Sequence, residues 1–157
     1  KLIYIEEGKN TFINPAWNKG ALMAKYDKLM FLNDDVITDF ELIDKVYDLI
    51  TEDRGMIGLG EGCWEYKGGD FNVRPIKRFR GGFACLFFIH KNSYRHIPED
   101  LKVWYGDNWL FEKSRKEPYE IVNWKMDGRI SATINTPKIL PITREDEVVW
   151  NKKYRNS

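Results

Sequence analysis

The stretch K-L-M-F-L-N-D-D-V-I-T-D, residues 28–39, decides how the fold of this chain is interpreted. Its apolar run, residues 29–32, ends directly in the polar triplet N-D-D, residues 33–35, and apolar side chains resume at Val36. Two adjacent carboxylates beside a buried strand are unfavourable unless water, hydrogen bonds or a cation compensates their charge. The stretch therefore predicts an interior strand that ends at a polar, charged edge.

The composition is that of a globular domain with enough apolar side chains to bury a core. The 157 residues are 43% hydrophobic and 31% charged, and the formal net charge of +1 argues against a general polyanion-binding surface. No apolar run reaches the roughly 18 residues of a membrane span, and no signal peptide is visible. We expect a cytoplasmic protein or one peripheral to a membrane, in which Cys63 and Cys85 are reduced, buried thiols.

Short apolar runs alternate with helical patterns along the chain, which predicts an α/β protein with a mostly parallel sheet flanked by helices. Six segments fit strands: residues 2–5, 29–32, 56–59, 81–89, 120–124 and 129–134. Three segments fit helices: residues 14–26, 39–51 and 107–116. The glycine-rich residues 60–70 are predicted to form a loop.

Two helix starts carry capping signals. Asn14 followed by Pro15 fits an N-cap and first helical residue, and T-D-F-E at residues 38–41 matches a capping box. We divide the chain into a single domain, residues 1–142, and a charged C-terminal tail, residues 143–157. Within the tail, Val148, Val149 and Trp150 are candidates for a docking point.

The triplet at residues 33–35 is a candidate metal site, because ligands of α/β sheets bind beyond the carboxyl ends of strands. Asn33, Asp34 and Asp35 offer only oxygen atoms, which suit Mg²⁺ or Mn²⁺. The alternative is an ordinary turn, since Asn and Asp favour turns and a loop must precede Thr38. The local sequence leaves both interpretations open.

The stretch K-V-W-Y-G-D-N-W-L-F, residues 102–111, places Asp107 at a predicted helix start among aromatic side chains. In an aromatic-walled pocket, partial desolvation raises a carboxyl pKa, and Asp107 would then act as a general base. The alternative is capping, or stabilisation of the helix dipole by about 0.3–1 kcal/mol. The aromatic faces suit sugar rings, although most aromatic side chains of any domain belong to its core.

The stretch R-F-R-G-G-F, residues 78–83, combines basic side chains with a glycine pair before an interior strand. Such a pair lets a ligand approach the backbone closely, and Arg78 and Arg80 could bind phosphate or an acidic acceptor. A solvated basic face is the alternative. We expect no nucleic-acid partner, because the net charge is near zero and no nucleic-acid-binding motif is present.

Taken in order, these segments resemble a GT-A fold glycosyltransferase of the family 2 type, whose sheet is Rossmann-like. The resemblance runs from residue 1 to about residue 136 and depends on the order and spacing of four segments. They are N-T-F-I-N-P-A-W-N-K-G from Asn10, F-L-N-D-D-V from Phe31, R-G-G-F-A-C-L-F-F-I from Arg80 and Y-G-D-N-W-L from Tyr105.

The resemblance implies a metal-dependent enzyme that moves a sugar from a nucleotide-sugar, expected to be a UDP-sugar, to a hydroxyl of a glycan, lipid-linked or protein acceptor. It implies that Asp107 is the catalytic base of an inverting transfer. The implied ligands of Mn²⁺ or Mg²⁺ are Asn33, Asp34 and Asp35. The implied donor-binding residues are Asn18, Asp34, Arg80, Gly81 and Gly82.

The sequence departs from the family pattern in two places. Residues 2–5 align best with the third strand of the family, so the nucleoside-binding strands before it are not apparent. The chain would then be a fragment, or receive those strands from another chain, or have lost donor binding. I-S-A-T-I-N-T-P, residues 130–137, has no metal-ligating His of the kind some relatives carry. A non-catalytic GT-A domain that binds carbohydrate or a protein partner is the alternative function.

Overall fold

The structure is a computed structural model that describes residue 5, residues 8–128 and residues 136–155. The strands are β1 (Lys28–Leu32), β2 (Val36–Thr38), β3 (Arg54–Leu59), β4 (Asn72–Pro75), β5 (Leu86–His90), β6 (Glu117–Val122) and β7 (Met126–Gly128). The α-helices are α1 (Ile13–Met23), α2 (Glu41–Tyr47), α3 (Gly106–Lys113) and α4 (Leu140–Val149). Phe83–Cys85 and Lys91–Ser93 form 3₁₀ turns, and Trp150–Tyr154 forms a π-helical turn.

The main sheet is mixed, with strand order β1-β5-β3-β6-β4, and β2 and β7 form a separate antiparallel pair. Among the described strands of the main sheet, only β3 and β6 pair in parallel. The prediction of a mostly parallel sheet is therefore wrong. The reason is that β5 runs back between β1 and β3, and an apolar strand covered on both faces has the same sequence pattern in either direction.

Strands β1, β3 and β6 nevertheless share one direction, because β5 is antiparallel to both β1 and β3, and β6 is parallel to β3. Their carboxyl ends therefore meet at one edge of the sheet, where the chain continues into Asn33, Gly60 and Asn123. Strand β5 begins at the same edge, directly after the turn Phe83–Cys85. This edge carries the candidate site.

Strand β5 is buried on both faces, which explains its continuous apolar run. Phe87 and Ile89 belong to a core cluster that includes residues of α1 and α3 and Trp150. Leu86 and Phe88 belong to a second cluster, which includes residues of α2. Helices α1 and α3 therefore contribute to the same core cluster as one face of β5, and α2 contributes to the cluster of the other face.

Most predicted elements are present, with shifted ends. The strands at residues 29–32 and 56–59 and the loop at residues 60–70 are confirmed. The strand predicted at residues 120–124 is found at Glu117–Val122. The strands predicted at residues 2–5 and 129–134 lie outside the described residues, except Ile5, which is not in a strand.

Both capping predictions are wrong. Helix α1 begins at Ile13, so Asn14 lies inside it, only 1% exposed. Thr38 is the last residue of β2, and its side chain does not cap α2. Asp39 does so instead, because its Oδ1 accepts a hydrogen bond from the backbone N–H of Glu41 at 3.0 Å.

The C-terminal segment is helical where it is described. The boundary proposed at residue 142 falls inside α4, and the π-helical turn continues the helix. Trp150 is 4% exposed and belongs to the first core cluster, whereas Val148 is 51% exposed. The segment therefore packs on the domain through Trp150.

Two further predictions concern thiols and membrane spans. Cys63 and Cys85 are free cysteines; Cys63 is buried and Cys85 partly buried. None of the helices in the described part of the chain combines the length and apolar composition needed to cross a membrane.

Candidate functional site

A cavity of about 340 Å³ lies beyond the carboxyl end of β1, next to the first turn of α3. We call it the Asp107 cavity. Asn33, Gly82 and Asp107, three of the residues singled out from the sequence, all line it. Its aromatic lining residues are Trp17, Trp104 and Tyr105.

Asp107 is half-buried in the first turn of α3, and its environment favours the neutral carboxyl. Burial raises the pKa of Asp107 from its ordinary value of 3.8 to about 6. The backbone N–H of Asn108 donates to Oδ1 of Asp107 at 2.9 Å, and this hydrogen bond lowers the pKa by less than burial raises it. A carboxyl with a pKa near 6 is ionised at neutral pH and still accepts a proton readily.

The start of α3 is fixed by a buried side chain of α1. The Nδ2 atom of Asn14 donates hydrogen bonds to the carbonyl oxygens of Leu101 (3.2 Å) and Trp104 (3.0 Å). Gly106 faces the Oδ1 atom of Asn14 so closely that an added Cβ would collide with it. Glycine is therefore required at position 106, where α1 approaches α3. The same contact fixes the start of α3, which carries Asp107.

The same segment is held from the other side by α4. Asp146 is fully buried, and its carboxylate accepts hydrogen bonds from the backbone N–H groups of Lys102 (2.9 Å), Val103 (2.7 Å) and Trp104 (2.8 Å). Sequence reasoning missed Asp146, because nothing local distinguishes it within the charged run R-E-D-E. It supports one wall of the Asp107 cavity.

A stacked pair of aromatic rings also holds this segment against the C-terminal helix. The ring of Trp150 lies 5.2 Å from that of Tyr105, with an angle of 10° between the ring planes. Tyr105 lines the Asp107 cavity and has a φ of 64°, an uncommon conformation for a non-glycine residue. The docking role considered for Trp150 from the sequence is thus linked to the candidate site.

Asn33 is the member of the polar triplet that lines the Asp107 cavity, whereas Asp34 and Asp35 follow it in the chain and are not among the lining residues. The backbone N–H of Asn33 donates to the carbonyl oxygen of Cys85 at 3.0 Å, which ties the triplet to the start of β5. Asn33 and Asp35 are half-buried, and Asp34 is exposed. Burial raises the pKa of the Cys85 thiol, and the charges of Asp35 and Asp107 raise it further, so both carboxylates act on the same thiol.

The donor set of the triplet fits a metal that is shared with a substrate. Among the described residues, no three His, Cys, Asp or Glu side chains are arranged to hold a metal ion. Mg²⁺, however, is often bound by one or two carboxylates together with substrate phosphates. The carboxylates of Asp34 and Asp35 make no hydrogen bond or ion pair to described residues, so their oxygens are available for such a role.

The glycine pair separates two cavities. Gly82 lines the Asp107 cavity with a φ of 76°, and a Cβ there would lie 3.1 Å from Nε1 of Trp64. Gly81 lines a neighbouring cavity of about 580 Å³, together with Trp64 and Arg80. A larger residue in place of Gly82 would be strained and would displace Trp64.

Arg80 is paired with carboxylates. Its Nη1 atom lies 2.6 Å from Oε2 of Glu61, and its Nε atom lies 3.9 Å from Oε2 of Glu120. Glu120 is 1% exposed and also binds Arg74 at 2.7 Å. The positive charge of Arg80 is therefore largely compensated before any phosphate could approach.

Asn18 is not brought to the cavity with the other candidates. Its Oδ1 atom accepts hydrogen bonds from the backbone N–H of Ile97 (2.9 Å) and the hydroxyl of Tyr94 (3.0 Å). Its Nδ2 atom donates to the carbonyl oxygen of Ile97 at 2.9 Å. These contacts tie α1 to the segment after β5.

No protein-family model, curated protein or solved structure matches this chain. The Asp107 cavity and the segments that line it are therefore the features from which a function can be inferred.

Proposed function

We propose that this protein is a metal-dependent glycosyltransferase with a GT-A-like arrangement of its active site. It would move a sugar from a nucleotide-sugar donor to an acceptor hydroxyl with inversion at the anomeric carbon. One observation carries the proposal: all four segments that resemble the glycosyltransferase family contribute to the walls of the Asp107 cavity. Segments from α1, the end of β1, the start of β5 and the start of α3 thus converge on one carboxylate with a raised pKa.

Asp107 is the base in this proposal. As the acceptor oxygen attacks the anomeric carbon, its proton passes to the Asp107 carboxylate, and the bond between the anomeric carbon and the diphosphate oxygen breaks. The pKa of about 6 suits this role, because the carboxylate is ionised at neutral pH yet accepts a proton more readily than an ordinary aspartate.

The donor diphosphate would lie at the triplet. Asp35 and Asp34, with Asn33 beside them, would hold Mn²⁺ or Mg²⁺, which supplies neutralisation of the negative charge on the departing nucleoside diphosphate. Asp35 is half-buried at this position, and Asp34 is exposed. Gly82 lets the sugar approach the backbone, and the aromatic side chains of the cavity offer faces for its ring.

Thermal unfolding tests the donor site directly. The protein is heated with Mn²⁺ and with UDP, GDP, CMP or TDP in turn, and each component is also tested alone. A ligand at one hundred times its dissociation constant stabilises the folded state by about 2.7 kcal/mol. We expect a shift that requires both the metal and one nucleotide, with UDP as the expected nucleotide.

Two variants make the result specific. Asp35→Asn should abolish the shift, whereas Asp48→Asn, an exposed aspartate at the end of α2, should retain it. No shift with any pair of metal and nucleotide would contradict the proposal. Binding of carbohydrate or of a protein partner without catalysis would then be the better description.

A further inference from the structure

The Asp107 cavity is the first of three neighbouring cavities. The second, which we call the middle cavity, has a volume of about 580 Å³ and is lined by Gly60, Trp64, Gly81 and Asn123, among others. The third, which we call the outer cavity, has a volume of about 570 Å³ and is lined by Thr38, Tyr66, Phe71, Asn123 and Trp124, among others. Each volume falls within the roughly 300–1,000 Å³ of known ligand sites.

The cavities adjoin one another in order. Gly82 lines the Asp107 cavity and the adjacent Gly81 lines the middle cavity, so the two cavities adjoin at this glycine pair. Trp64 lines the middle cavity and packs against Gly82. Glycine at this divide leaves room that a larger side chain would fill.

The middle and outer cavities meet at Asn123, which lines both. Its Nδ2 atom donates to the carbonyl oxygen of Asp70 at 2.9 Å, and its amide packs against Gly69. The side chain that these two cavities share is therefore held in place by a hydrogen bond.

Each cavity offers an aromatic face with polar groups around it. Trp104 lies in the Asp107 cavity, Trp64 in the middle cavity, and Tyr66 and Trp124 in the outer cavity. Trp64 and Tyr66 are 39% and 42% exposed, so their rings are accessible. Aromatic faces pack against the C–H groups of sugar rings, while neighbouring carboxylates and amides bind the hydroxyls.

The charge of the two larger cavities is nearly balanced. Their lining includes five acidic and four basic side chains. Such a surface does not attract a polyanion strongly, which disfavours nucleic acid and highly charged glycans. A neutral chain of sugars fits this charge and the repeated aromatic faces.

We propose that the three cavities form one groove for an oligosaccharide acceptor. The terminal hydroxyl of the acceptor lies at Asp107, and the preceding sugar units occupy the middle and outer cavities. Only the placement of this hydroxyl rests on the proposed glycosyl transfer. Because several sugar units bind at once, affinity should rise with the number of units until the outer cavity is filled.

The test measures binding of sugars without metal or nucleotide. Ladders of one to six units derived from cellulose, chitin and starch are titrated into the full chain, and heat or tryptophan fluorescence is recorded. We expect at least one ladder to bind with an affinity that rises tenfold or more from two to six units. Affinity that does not grow beyond two units, or no binding by any ladder, would overturn the proposal.

Two tyrosine variants locate the binding. Tyr66→Ala removes an exposed ring of the outer cavity, and we expect about a 3- to 10-fold loss of affinity for six units with little change for two. Tyr26→Ala removes a ring that is 72% exposed and lines none of the three cavities, so affinity should not change. Equal losses in the two variants would also overturn the proposal.

A separate arm distinguishes this proposal from the proposed function. Asp35→Asn and Asp107→Asn are titrated with the same ladders. Length-dependent binding that persists in both variants supports the groove even if no metal–nucleotide pair stabilises the protein. Loss of length dependence in Asp35→Asn, which lies outside the three linings, would contradict the placement of the chain.

Discussion

The two sides of the Asp107 cavity are held by different means. Residues 101–107 are fixed by buried polar side chains from distant helices, since Asn14 and Asp146 together make five hydrogen bonds to backbone groups of this segment. The triplet at residues 33–35 is held by its backbone, and the carboxylates of Asp34 and Asp35 make no hydrogen bond to described residues. The side that would accept a proton is preorganised, and the side that would bind a diphosphate keeps its oxygens free for a ligand.

The largest expected effect is on turnover, through Asp107 itself. Asp107→Asn keeps the size of the side chain but removes its capacity to take a proton, and we expect turnover to fall by about 10²–10⁴. Release of nucleoside diphosphate is the measurement, and Asp48→Asn is the control. The stabilisation by metal and nucleotide should persist in Asp107→Asn. Turnover close to that of the wild type would remove Asp107 from the role of base.

The second-largest expected effect is on stability, through the buried Asp146 that holds residues 102–104. Asp146→Ala leaves three backbone N–H groups without their acceptor, so we expect the free energy of unfolding to fall by about 2–4 kcal/mol. Glu145→Ala is the matched control. The exposed side chain of Glu145 forms a surface ion pair, 3.4 Å from Lys102, and its removal should cost less than about 1 kcal/mol. Urea unfolding measures both. Similar losses in the two variants would mean that Asp146 is not the anchor of this segment.

The raised pKa of Asp107 predicts a pH dependence of stability. The folded protein holds this proton up to about pH 6, whereas an ordinary aspartate loses it near 3.8, so the folded state binds more protons in this window. The contribution of Asp107 to the free energy of unfolding therefore falls as pH rises from about 4 to 6, by at most about 3 kcal/mol. Turnover should change the other way and rise through pH 6 as the base ionises.

Urea unfolding of the wild type and of Asp107→Asn between pH 4 and pH 7 measures this effect. The variant should gain stability relative to the wild type as pH increases, because asparagine has no proton to lose. A constant difference across this range would show that the pKa of Asp107 is not raised in solution.

The difference between the two sides also explains what the sequence could predict. The triplet directly follows an apolar run of four residues, and both signals are local, so the end of β1 is placed correctly from the sequence. Asn14 has the local pattern of an N-cap, but its side-chain partners are 87 and 90 residues away. Asp146 likewise binds backbone groups 42 to 44 residues away. From the local sequence alone, Asn14 is therefore interpreted as an N-cap and Asp146 as part of a charged surface.

The direction of β5 is a second case. Its burial follows from its composition, but its antiparallel position between β1 and β3 depends on long-range pairing, which an apolar run does not encode. The wrong direction predicted for β5 changes the topology of the sheet more than it changes the candidate site. The end of β1 and the start of β5 lie at the same edge of the sheet. Asn33 and Gly82 therefore line one cavity although the sheet is mixed.

The smallest expected effect is on the stability of the ligand-free protein when Asp35 is changed. Asp35→Asn removes a charge that has no hydrogen bond to described residues, so the free energy of unfolding without ligands should stay within about 0.5 kcal/mol of the wild type. The same urea experiment that detects Asp146→Ala measures this. A loss as large as that of Asp146→Ala would mean that the triplet is a structural turn, held by its side chains, and that both sides of the cavity are built alike. A small loss, combined with the loss of metal-dependent nucleotide binding, would mean that Asp35 is kept for a ligand rather than for the fold.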